Sequence, residues 1–150
     1  MMSGKLLMSA ENMWGEIHAP LDQRTPTSIL REQAEILNQI TRGVLIGTIE
    51  QEPTANNTLI YNFSITAPAI NHHKFSILTV QYSLTIYPLT LTDHITHVQR
   101  QCLNEETFTP ALKSILSSTP VKRVVAALLI QSRENTSPAQ NPVDKPGIRE

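Results

Sequence analysis

A chain of 150 residues with 40% apolar content can bury one ordinary core without disulfides or a structural metal. Its 12 basic and 13 acidic residues leave a net charge of −1. That balance argues against a nucleic-acid partner, whose binders gather Lys and Arg on one face. Cys102 is the only cysteine, so no intramolecular disulfide can form, and a lone thiol suits a reducing compartment. No window approaches the roughly 20 apolar residues of a membrane span. Lys5-Leu6-Leu7-Met8 is too short for a secretory apolar core. The expected address is the cytoplasm, with neither membrane nor nucleic acid as partner.

Residues 1–25 carry no sustained period and read as a flexible N-terminal segment. Trp14 is expected to fold back onto the domain, with an exposed binding anchor as the other reading. Thr25-Pro26 is a helix start, with Thr as the cap and Pro in the first turn. Ile29, Leu30, Ala34, Ile36, Leu37 and Ile40 then make a broad apolar stripe. Arg42 and Gly43 complete the helix, which is expected over 26–42 with Gly43 as C-terminal cap.

Residues 44–51 read as a first strand and 52–57 as a turn. In the second strand, over 58–67, Leu59, Tyr61, Phe63, Ile65 and Ala67 alternate with polar residues. A third strand covers 74–87, where Leu78, Val80, Tyr82, Leu84 and Ile86 alternate. Its apolar parity shifts between Ile77 and Leu78, which predicts a bulge. Pro88 interrupts the ladder, so 89–91 is an edge extension or a loop entry. A fourth strand over 95–102 carries a weak signal.

The next helix starts either at Asn104, with Glu105 and Glu106 in its first turn, or at Thr109-Pro110. Pro110 would fall inside the first of these, and both starts stay open. Val121, Val124, Val125 and Leu128 recur at helical spacing, so a last helix is expected over 120–132. Residues 133–150 hold three prolines and no apolar period, as a disordered tail would. The domain is therefore 26–132. Its class is α+β: an antiparallel meander of three to four strands, preceded by one helix and followed by two packed on one face.

The opposite sheet face would show Asn62, Ser64 and Thr66 beside Thr79, Gln81 and Ser83. It is polar and nearly uncharged. With the exposed hairpin residues His72 and His73, these form the candidate binding surface. Asp93, His94, His97 and Cys102 are ligand types acceptable to zinc, but their spacing fits no zinc motif, so neither a metal nor a cofactor is assigned. No Gly-x-Ser-x-Gly elbow or phosphate-cradling loop occurs, and Cys102 lacks an activating motif. Gly47 marks close packing of a helix on the sheet.

The expected function is a small non-catalytic, bacterial protein-interaction module: an adaptor, an inhibitor or an immunity-type partner. It would bind another protein, or a second copy of itself, through the polar face or an edge strand. The alternative is a small metal-dependent enzyme, or a zinc-stabilised protein, using the His/Asp/Cys cluster with His72 or His73.

Overall fold

A computed structural model describes residues 10–18 and 24–136. Helix α1 (Pro26–Ile40) leads into a meander of β1 (Ile46–Glu52), β2 (Thr58–Ala67), β3 (His73–Ser83), β4 (Leu89–Asp93) and β5 (Gln99–Cys102). Helices α2 (Glu105–Leu116) and α3 (Thr119–Thr136) close the chain. The sheet order is β1-β2-β3-β4-β5 and every pair is antiparallel. The expected α+β meander is present, with five strands rather than three or four.

The start of α1 is held reciprocally. Thr25 Oγ1 accepts from the Ser28 amide, and Ser28 Oγ accepts from the Thr25 amide, each at 3.1 Å. Its end is tighter than the expected 26–42. Arg42, at φ 55°, takes the left-handed position after the Thr41 cap, and its amide bonds Gln39 O. The Gly43 amide reaches back to Asn38 O at 2.8 Å, completing a Schellman closure. Arg42 thus lies beyond the helix rather than in its last turn.

The bulge lies where the parity shift places it. Leu78 pairs with Phe63 and Ser76 with Ser64, so Ile77 is the extra residue in β3. Ile77 and Leu78 are both fully buried. The third strand stops at Ser83 instead of 87, because the Ile86 amide bonds Ser83 O in a turn that sends the chain back. That reversal lets Leu91 pair with Val80, so the residues after Pro88 form a true strand. Proline is tolerated there because it precedes the ladder.

The expected strand over 95–102 shrinks to β5. Asp93 Oδ1 accepts from the amides of Ile95 and Thr96, which makes that stretch a turn. Asn104 caps α2 in a second box, its side chain accepting from the Thr107 amide at 2.9 Å. Pro110 therefore sits inside α2, which forgoes one backbone hydrogen bond there.

The register puts Leu59, Tyr61, Phe63 and Ile65 on one sheet face with Leu78, Val80, Tyr82, Leu89 and Leu91. All three helices contribute to the core on this side: Ile29 and Leu30 from α1, Phe108 and Leu112 from α2, Val121 and Leu128 from α3. Gly47 carries a close approach of α1 to the sheet. A methyl built on it would stand 2.7 Å from Ala34 Cβ and 2.8 Å from Ala34 Cα. Helix α3 runs on to Thr136, four residues past the expected end at 132. The rest of the expected tail, and the N-terminal residues 1–9 and 19–23, lie outside the described residues.

Candidate functional site

The polar sheet face is where the alternation predicts it, but its residues differ sharply in what they offer. A chain of hydrogen bonds crosses it from the β4–β5 turn to the edge. His94 Nε2 bonds Thr79 Oγ1, Thr79 Oγ1 donates to Asn62 Oδ1, and Asn62 Nδ2 donates to Glu52 Oε1 at 3.2 Å. Thr66 pairs with Thr48 at 3.2 Å, and Lys74 Nζ meets Glu50 at 2.8 Å. Ser64 is 2% exposed, sunk among its neighbours. Only Gln81 and Ser83 of the six strand positions stand fully open, Ser83 sharing a hydrogen bond with Thr85. His72, in the β2–β3 turn at a left-handed φ of 58°, and His73, the first residue of β3, are both exposed.

The residues considered for metal are not brought together. His94 is engaged on the open face, His97 is exposed, and Cys102 is buried on the helix side. Asp93 spends its carboxylate on the turn amides. Among the described residues no group of three or more His, Cys, Asp or Glu is placed to hold a metal ion. Burial pushes the Cys102 thiol above its ordinary range, opposed in part by Arg100. A buried thiol of that kind is a poor nucleophile.

A different feature occupies the helix side. The register and helix placement leave a groove of about 680 Å³ between α1 and the α2–α3 hairpin. Ile29, Ile36, Leu37 and Ile40 of α1 form one wall. Leu112 and Leu116 of α2, with Val121, Val125 and Leu129 of α3, form the other. Phe63, Ile65 and Ile77 are its floor, so the bulge at Ile77 adds to that floor. The volume falls within the range of about 300–1,000 Å³ typical of ligand sites.

Three cations stand on the rim: Arg24, Lys113 and Lys122. Arg24 is neutralised by Glu32 and by Glu105 at 3.8 Å. Lys113 and Lys122 are exposed and in no ion pair among the described residues. The groove is therefore apolar along its length and basic on the hairpin side. Ile36 is 44% exposed and Ile40 72%, an uncovered apolar surface of the kind that marks binding sites.

The signal for this site was present in the α1 stripe, which is wider than one sheet contact needs. Ile29 and Leu30 fill the core, whereas Ile36 and Ile40 lie outside it. Periodicity places such residues on one side of a helix but says nothing of what stands opposite.

Comparison with protein-family models, with curated proteins and with solved structures finds no match. Among the described residues, no helix is long and apolar enough to cross a membrane.

Proposed function

We propose that this protein is a non-catalytic protein-interaction module that receives an acidic amphipathic helix of a partner protein in the groove between α1 and the α2–α3 hairpin. The observation that carries the reading is the pairing of an uncovered apolar channel with two free lysines on one wall. From Ile29 to Ile40 the channel follows α1 for about 16 Å, enough for three turns of a docked helix. Such a helix would set apolar anchors at i, i+3 or i+4, and i+7 over Phe63, Ile65 and Ile77, with carboxylates toward Lys113 and Lys122. Charge complementarity of this kind favours orientation and encounter rate more than raw affinity. An adaptor, inhibitor or immunity-type role in the cytoplasm of a bacterium fits this chemistry.

The test uses a helix-forming peptide with Leu at those anchor spacings and Glu on its flanks, beside its counterpart with Lys in place of Glu. Fluorescence anisotropy should show binding of the acidic peptide alone, weakened by salt, and lost in Ile36→Glu and Ile40→Glu. Equal binding of both peptides, or of neither, would reject the reading.

The polar sheet face supports a second reading, a protein contact through Gln81, Ser83 and the Asn62–Thr79 pair. The exposure of Gln81 and Ser83 favours it. Glutamates placed at Gln81 and Ser83 should abolish a contact made there; a partner that still binds such a variant removes this reading.

A further inference from the structure

The groove is not the only uncovered apolar surface. Upstream of α1, Met13, Trp14 and Ile17 are 86%, 83% and 75% exposed, so Trp14 stands open rather than folded back as expected. Their arrangement is local and built. Asn12 Oδ1 accepts from the Trp14 amide at 3.1 Å, and Asn12 Nδ2 donates to Gly15 O at 3.2 Å. Gly15 takes φ 69°, which lets the chain turn directly after the indole. The result is a tight Asx turn with Met13 and Trp14 at its tip, flanked by Glu11 and by Glu16, whose carboxylate lies 3.5 Å from His18 Nε2.

We propose that residues 11–17, which stand open in this structure, are a strap poised to close over the groove of the same chain, so that a partner helix must displace the closed form. The proposal rests on the groove being the binding site, and three observations connect the two surfaces. The strap is apolar at its tip and acidic at its flanks, whereas the groove is apolar along its channel and carries the free ammonium groups of Lys113 and Lys122. Arg24, which lines the groove, is the seventh residue after Ile17, so the tether spans at most about 25 Å. That reach covers the channel beside α1, about 16 Å long. A tether this short gives a local concentration in the millimolar range, which favours the strap of the same chain over that of a second copy. An indole is also the side chain best suited to anchor in such a pocket, being large, rigid and amphipathic.

Trp14 is the only tryptophan, so its emission reports the strap directly in the full-length chain. The wild-type protein should emit to the blue of N-acetyltryptophanamide in water and be quenched less by acrylamide. Ile40→Glu and Ile36→Glu, both at exposed positions, should return emission and quenching to the free value with unchanged far-UV circular dichroism. The acidic Leu/Glu peptide should shift Trp14 to the red as it binds. Trp14→Ala should tighten binding of that peptide, because the competing closed form is removed.

Emission matching free indole in the wild type would overturn the strap; if the acidic peptide still bound, the groove reading would survive it. Blue emission that persists in both glutamate variants would place Trp14 elsewhere and also overturn it. A shift that grows with protein concentration would assign the strap to a second copy, contrary to the proposal. Failure of the peptide to bind the Trp14→Ala variant would reject the groove itself.

Discussion

The two faces of the sheet carry adjacent residues of the same strands, yet they are built on opposite terms. On the open face, polar side chains satisfy one another: His94 with Thr79, Thr79 with Asn62, Asn62 with Glu52, Lys74 with Glu50. On the helix face the apolar residues are satisfied only in part. Phe63, Ile65 and Ile77 are covered, but the wall residues Ile36 and Ile40 face an unfilled channel. A surface whose groups are already paired gains little from a partner, because binding must first break those pairs. Apolar surface left in water gains by being covered. The difference supports the proposed reading, in which the polar face gives the sheet a stable outer side and the groove receives the partner.

Neighbouring residues give the largest contrast. Phe63→Ala removes the floor of the groove and part of the core, and should cost about 3–5 kcal/mol. Ser64→Ala, one residue along and on the other face, should cost under about 1 kcal/mol. Urea denaturation of the pair measures both, and comparable losses would erase the distinction between faces. Gly47→Ala comes next, at about 1–3 kcal/mol by overpacking, because Ala34 presents backbone as well as side chain to the added methyl.

Smaller effects sharpen the comparison on the open face. Thr79→Val leaves Asn62 Oδ1 and His94 Nε2 without their shared hydroxyl. It should cost about 1 kcal/mol while leaving binding of the acidic peptide unchanged. Ile40→Glu should do the reverse, shifting stability by under about 0.5 kcal/mol, as surface changes do, and removing peptide binding. A Thr79→Val protein that loses the peptide, or an Ile40→Glu protein that keeps it, would invert the assignment.

Alkaline pH should act on the helix side. Burial raises the Cys102 thiol and the Tyr82 and Tyr87 phenols, so the fold favours their neutral forms. The unfolded chain then releases these protons first. Stability should be flat below the ordinary thiol range and fall as pH rises through it toward the tyrosine range. Denaturant midpoints from pH 7 to 11 check this, and Cys102→Ser should remove the earliest part of the decline. A midpoint that climbs with pH in that window would contradict the assigned burial.

Much of the fold was legible because local and tertiary signals agree. The Thr25-Pro26 start, the alternation in β2 and the parity shift at Ile77 each have one structural solution. The close approach marked by Gly47 was equally readable. Strand β4 was obscured because Pro88 suggested interruption, whereas Leu89-Thr90-Leu91-Thr92 alternates as a strand should. Strand β5 was harder to place, since three of its four residues are exposed and only Cys102 turns inward. The polar face could be read from period two alone. The groove could not, because it depends on how far α1 stands from the α2–α3 hairpin, a distance between elements that no periodicity encodes.

The central claim is that the helix-side groove, and not the polar sheet face, receives a partner. Methyl-resolved NMR of the full-length chain titrated with the acidic Leu/Glu peptide tests it most directly. The account predicts shifts at Ile36, Ile40, Leu116, Val125 and Leu129, with the methyls of Thr79, Thr90 and Thr92 unmoved. Shifts confined to the threonines would contradict it and return the binding surface to the sheet.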